Sequence, residues 1–136
     1  MTPAVRITRR ATFAAGHVLC RPEWSDDKNR EVFGACANDH GHNYVIEVSV
    51  AGSVDPETGM VANLKDVDRV LRREFIERVD HKHLNRDVDF LSGVVPTAEN
   101  LAIAAFERLA APMEPARLVR VRITESENNS AEVIRE

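Results

Sequence analysis

The 136 residues contain no apolar run approaching the roughly 20 needed to span a bilayer, and the first residues carry no secretory h-region. A membrane protein or an exported one is therefore not expected, and the cytoplasm is the expected location. There is also no block of basic charge. Eighteen Lys and Arg face 22 Asp and Glu, leaving a net charge of −4, which argues against nucleic acid or an anionic membrane surface as partner and favours a small ligand. Cysteine is scarce as well. Cys20 and Cys36 could form one bridge at most, and in a reducing compartment both are expected as free thiols, Cys20 as an inert small side chain. Repeats, low-complexity tracts and dividing linkers are missing, so one domain with a sizeable core is expected over residues 1–136.

What is present is concentrated. Cys36-Ala37-Asn38-Asp39-His40-Gly41-His42-Asn43-Tyr44 places two imidazoles two residues apart, four positions after a thiol and at the head of an alternating run. Side chains alternate faces on a strand, so His40 and His42 point the same way if the segment is extended. Tyr44, Ile46, Val48 and Val50 continue that parity, which predicts a strand to about Ala51 with the histidines prolonging its apolar face. Upstream, Val5, Ile7, Ala11, Phe13, Ala15 and His17 share one parity broken only by Arg9, so two strands could converge on one metal. Three neutral imidazoles with a vacant fourth position describe a catalytic zinc site, whereas structural zinc sites are closed by four protein ligands. An H-x-H pair alone can equally be a hydrogen-bonding surface feature.

The rest of the chain reads as alternating punctuation and periodicity. Arg21 to Glu31 is charged and reads as a long loop, and Asp55-Pro56-Glu57-Thr58-Gly59 as a turn. Val67, Val70, Leu71, Phe75 and Val79 predict a helix from about Lys65 to Val79. A second helix is expected over Ala98 to Ala110, capped by the Thr97 hydroxyl and ended by Pro112 and Pro115. Leu118 to Thr124 alternates as a strand, and Ala131 to Arg135 is a shorter one after an Asn128-Asn129 turn. The order is β-β-α-α-β-β. Between the helices, Asp80-His81-Lys82-His83 sets a carboxylate beside an imidazole, a candidate proton relay. A histidine at a helix end can also simply satisfy the terminal carbonyls, and His81 and His83 form a rival H-x-H pair for zinc.

Taken together, Phe13-Ala14-Ala15-Gly16-His17, Phe33-Gly34-Ala35-Cys36, His40-Gly41-His42-Asn43-Tyr44, Asp80-His81-Lys82-His83-Leu84-Asn85, Pro96-Thr97-Ala98-Glu99-Asn100 and Thr124-Glu125-Ser126 resemble the 6-pyruvoyl-tetrahydropterin synthase and 6-carboxy-tetrahydropterin synthase family nearly end to end. The resemblance implies an α+β tunnelling fold. In it a β-β-α-α-β-β subunit, an antiparallel sheet with two helices on one face, joins neighbours into an oligomeric barrel, a trimer or a hexamer of two stacked trimers. It implies a zinc enzyme acting on 7,8-dihydroneopterin triphosphate, a lyase that expels triphosphate, with sites at subunit interfaces.

By that resemblance His17, His40 and His42 hold zinc and Cys36 is the general base. Asp80 and His81 complete the proton relay, Glu125 anchors the pterin, and Thr97 and Glu99 line its pocket, although Ala98 stands where a second hydroxyl often occurs. The three-residue gap between Cys36 and His40 resembles the carboxy branch, which yields 6-carboxy-tetrahydropterin and acetaldehyde on the route to queuosine. Phe33-Gly34, Asn43-Tyr44 and the insertion from Trp24 to Val32 resemble the pyruvoyl branch. The spacing weighs more, because it sets where the base stands relative to the metal. A non-catalytic zinc- or pterin-binding protein is the alternative of another class, and Cys36, Asp80 and His81 together argue against it. The triphosphate needs cations, for which Arg21, Lys28, Arg30, Lys82 and Arg86 are candidates.

Overall fold

A computed structural model describes residues 3–135. Two long strands form its spine: β1 (Val5–His17) and β2 (His40–Gly52) pair antiparallel over their whole length, from Val5 opposite Gly52 to His17 opposite His40. β4 (Arg117–Ser126) pairs antiparallel with β2, and β5 (Asn129–Ile134) returns along β4. The two-residue β3 (Lys82–His83) runs parallel to β1, giving the order β3-β1-β2-β4-β5. The sheet is thus mixed, not purely antiparallel as expected, and in the single chain it is open. The short parallel strand carries no periodicity, so nothing in its sequence announces it.

Parity sorts the two faces. Ala11, Phe13, Ala15 and His17 of β1 and Tyr44, Ile46, Val48 and Val50 of β2 are buried. The opposite face bears Thr8, Arg10, Glu47, Arg120 and Arg122, with the Thr8 and Ser49 hydroxyls 2.7 Å apart. A register shift at Ser49/Val50 bends β2 against β4. Onto the apolar face pack two helical rods. The first is α2 (Leu64–Leu71), a π-helical turn (Arg72–Ile76) and α3 (Glu77–Val79); the second is α4 (Ala98–Met113). Asn63 caps α2 and Thr97 caps α4 through their side-chain oxygens. Phe13 stacks on Tyr44 at 4.8 Å between centroids and meets Phe75 edge-on at 5.6 Å, which locks the first rod over the strand end that carries the histidines.

Three further expectations are corrected. Arg21 to Glu31 is not all loop: α1 (Asp26–Phe33) forms there, capped by Ser25, with Asp26 and Asp27 in its first turn and Arg30 in its last. Its cohesion is polar. Asn29, buried, bonds the backbone of Arg21 and Ser25, and Trp24 stacks on Phe33 while Lys28 sits 4.1 Å over the indole. Such a helix shows no apolar stripe, only a capping signature. The first rod is interrupted by a π turn that buries the adjacent Phe75 and Ile76. The last helix extends beyond Ala110 to Met113 with Pro112 inside it, since proline removes one N–H near a helix end yet keeps a helical φ.

Arg9, which breaks the β1 parity, reaches Asp68 of α2 at 3.0 Å, and Arg72 grips the other carboxylate oxygen at 3.0 Å. Burial raises the Asp68 pKa, but the two guanidiniums outweigh it and hold the carboxyl below its usual range. A carboxyl depressed in the folded state adds stability that is complete above the unfolded value near 3.9 and is lost as pH falls through the folded one. Asp68→Asn is expected to lower stability by about 1 kcal/mol at pH 7 and by progressively less below about pH 4. Urea titrations at pH 7 and pH 3 check this; an equal loss at both would remove charge from the explanation.

Candidate metal centre

The β1/β2 register brings the C-terminal residue of one strand opposite the first residue of the next. His17 therefore faces His40 across the ladder, and His42 lies two residues along on the same side. Ring centroids are 4.5 Å (His17 to His40), 5.1 Å (His17 to His42) and 4.9 Å (His40 to His42) apart. One nitrogen from each ring lies within 4.8 Å of the other two. All three Nε2 atoms are buried and lack a hydrogen-bond partner.

Buried polar atoms are almost always partnered, and three orphans aimed at one another would be costly without a shared partner. The opposite ring edges explain their orientation. His17 Nδ1–H donates to the Pro96 carbonyl at 2.8 Å, and His40 Nδ1–H to the Asn38 carbonyl at 2.7 Å, so each Nε2 presents its lone pair inward. Burial, reinforced by its neighbours His40 and His42, pushes the His17 pKa down against the opposing Pro96 bond, favouring the neutral ligand form. Gly41 between the pair avoids a tight contact, because a Cβ there would come within 3.1 Å of the Ala15 carbonyl. The trio can hold a divalent metal, and its all-imidazole donor set suits zinc among others.

The remaining candidates fall in distinct places. Glu125 of β4 puts its Oε1 3.7 Å from His42 Nε2. With Thr97, Glu99, Leu19 and the Asn128 to Ala131 turn it lines a cavity of about 560 Å³. Thr97 Oγ1 also accepts the Asn100 N–H as the α4 cap, so helix start and pocket wall are one feature, and the same corner supplies the Pro96 anchor of His17. On the other side, His40, His42, His81, Lys82 and His83 border an open concavity of about 540 Å³.

Asp80 and His81 form a pair there. His81 Nδ1 lies 3.0 Å from Asp80 Oδ1, and the Ala14 N–H donates to the same carboxylate at 2.9 Å. That backbone bond, with His81 adding to it, holds the Asp80 carboxyl below its usual range. His81 takes a left-handed φ of 60° and leaves its side chain 82% exposed, so it is poised outward and is not a trio member. Nor is His83, whose Nε2 bonds Asp39. Cys36 sits on a 3-10 turn (Gly34–Ala37) just ahead of β2, and its carbonyl accepts the Leu19 N–H at 2.8 Å. Among the described residues, no hydrogen bond or ion pair joins Cys36 to Asp80 or His81.

Sequence reasoning missed the two carbonyl anchors. Backbone acceptors leave no residue-type signal, although the Pro96-Thr97 cap and the two-residue step from Asn38 to His40 mark where they are. Among the described residues, no helix is long and apolar enough to cross a membrane.

An open five-stranded tunnelling-fold sheet with helices on its apolar face and a three-histidine pocket at one strand end defines the class. The family model for 6-pyruvoyl tetrahydropterin synthase matches residues 6–136. The 6-pyruvoyl tetrahydrobiopterin synthase of Dictyostelium discoideum is 39% identical over 129 residues, 95% of each chain. The solved structure of Caenorhabditis elegans 6-pyruvoyl tetrahydropterin synthase superposes with a TM-score of 0.87 at 35% identity, covering 99% of this chain and 98% of that one. An Archaeoglobus fulgidus protein bearing the provisional name 6-carboxy-5,6,7,8-tetrahydropterin synthase is 36% identical over 100 residues, 74% of this chain and 79% of its own. The chain belongs to the 6-pyruvoyl tetrahydropterin synthase family and is an enzyme of the lyase class.

His42→Ala is expected to strip metal from the dialysed protein, weakening affinity by more than the roughly 10–100-fold that loss of an outer partner costs. Metal analysis and calorimetric titration with zinc read this out, and an unchanged metal content would take His42 out of the ligand set.

Proposed function

We propose that this chain converts 7,8-dihydroneopterin triphosphate to 6-carboxy-5,6,7,8-tetrahydropterin, consuming a water and releasing triphosphate and acetaldehyde, with zinc held by His17, His40 and His42. The observation that carries the choice of product is the short step from Cys36 to the histidine pair. Only Ala37, Asn38 and Asp39 intervene, and Asn38 is itself tied to the His40 ring. So brief a tether supports a thiol that works at the metal site.

When bound, the zinc would act as a Lewis acid toward the side-chain hydroxyls of the substrate. Everything else falls to the protein's own groups. Glu125, beside His42 and at the wall of the neighbouring cavity, accepts hydrogen bonds from the amino and ring N–H groups of the pterin, a charge-assisted contact that fixes its orientation. Thr97 and Glu99 line the same cavity. Cys36, as thiolate, takes a proton from the substrate side chain, whose electron pair then expels the triphosphate. Asp80 accepts from His81 Nδ1–H, which leaves Nε2 to receive or return a proton. The outward aim of His81 suits a pocket completed by a neighbouring subunit, and the proposal includes a homo-oligomer in which the short β3 and the free edge of β5 meet other copies.

A second reading, 6-pyruvoyl-tetrahydropterin formation from the same substrate, is favoured by α1 and by the names of the relatives in Dictyostelium and Caenorhabditis. The two share metal, base and triphosphate loss, and differ in whether a carbon–carbon bond breaks. Mass analysis of products from 7,8-dihydroneopterin triphosphate, with acetaldehyde assayed alongside, separates them. Acetaldehyde with a 6-carboxy product is the expected result; a pyruvoyl product without it establishes the second reading, and no turnover refutes both. Cys36→Ala is expected to keep fold and zinc while turnover falls about 100-fold or more, as for a lost general base. Steady-state rates on zinc-loaded protein check this, and full activity would remove the thiol from the mechanism.

A further inference from the structure

His83 has no part in the trio or in the Asp80–His81 pair, yet its ring is committed on every polar atom. Its Nδ1 accepts the Asn85 N–H at 3.3 Å, so the ring proton sits on Nε2, which donates to Asp39 Oδ1 at 3.0 Å. No lone pair remains for a metal. The ring also lies against β1, over Gly16, where a Cβ would stand 3.4 Å from His83 Cδ2.

The base from which it reaches is braced. The His83 N–H donates to Asp87 Oδ2 at 3.0 Å, the Leu84 N–H to the Gly16 carbonyl at 2.8 Å, and the Asn85 amide bonds both the N–H and the carbonyl of Val18, each at 2.9 Å. The His83 side chain is 11% exposed while Asp39 is 63% exposed. The rigid partner is therefore the histidine, and the gripped partner is the connection.

That connection is the one that matters. Asp39 directly precedes His40, and its own segment runs back through Asn38, the anchor of His40, to the 3-10 turn bearing Cys36. Upstream, the segment is tied through the Cys36 carbonyl to Leu19; downstream, through Asp39 to His83. The thiol belongs to the first tied residue, and the second tie holds the chain three residues further on.

We propose that His83 is a positioning residue: acting through Asp39, it holds the connection that presents Cys36 to the metal site. This rests on the reading of Cys36 as the base. Loss of the tie would leave the ligands in place and let the thiol drift, and a displacement of about 1 Å costs on the order of 100-fold in rate.

The test uses the full chain with Cys20→Ala, so that Cys36 is the sole thiol. In that background His83→Ala, Asp39→Ala, the double variant and His83→Gln are compared, the last keeping an N–H donor for Asp39. Expected for either alanine variant are a kcat lowered by about 10–100-fold with KM little changed, zinc retained, and a melting temperature within roughly 4 °C of the parent, since a half-exposed pair contributes little stability. The rate at which iodoacetamide alkylates Cys36 should shift at least about threefold. The double variant should match the singles, because both cut one link, and His83→Gln should recover most of the rate. Unchanged kcat and alkylation rate, additive losses, or zinc lost in step with activity would each overturn the proposal. A parent without turnover would refute the proposed reaction, while the alkylation rates would still decide whether His83 places the thiol.

Discussion

The antiparallel register of β1 against β2 is the constraint on which the site depends. Because His17 pairs with His40 across the ladder, and side chains two apart share a face, three imidazoles converge without any loop having to place them. A slip of β2 by one residue against β1 would turn His40 and His42 away from His17 and move Tyr44 and Ile46 out of the core. Core burial and the convergence of the histidines thus go with the same register, and the hydrophobic free energy of the sheet also holds the three rings together.

Around this centre the electrostatics are arranged by distance from water. Desolvation keeps the buried His17 neutral against the pull of its Pro96 bond, and the carbonyls that accept from the Nδ1–H of His17 and His40 turn their Nε2 atoms toward each other. The carboxylates stand at the rim: Glu125 next to His42, and Asp80 held ionised by the Ala14 N–H. Anions near the orphaned nitrogens complement a divalent cation, and the two concavities flanking the histidines have different linings, one bearing Thr97, Glu99 and Glu125 and the other His81, Lys82 and His83. Such a division suits a reaction in which one part of a substrate is held and another is changed.

Legibility varied with the range of the forces involved. β1, β2 and β4 could be read because alternation is a local pattern that one-sided burial imposes directly, and Arg9 broke it only because its partner Asp68 lies 59 residues away. The helix α1 was hidden by its composition, being held by Asn29, Ser25 and Trp24 with no apolar stripe. Pro112 was read as a stop because its missing N–H is a local fact, whereas its tolerance inside α4 follows from its place in the last turn. Of the site, the histidine pair announced itself through i, i+2 spacing, while His17 needed the assumption that two strands meet.

The sequence by itself determined the chemistry: which residues can ligate, which can move protons, and the parity that puts His40 and His42 on one face. These follow from side-chain identity and from dihedral periodicity, which need no distant partner. Only the tertiary structure decided that His17 completes the trio while His81 and His83 do not, that Pro96 and Asn38 aim the rings, and that His83 grips Asp39. Such choices depend on contacts spanning from 2 to 79 positions along the chain, made by backbone carbonyls and rotamers that only the packed sheet and helices bring together.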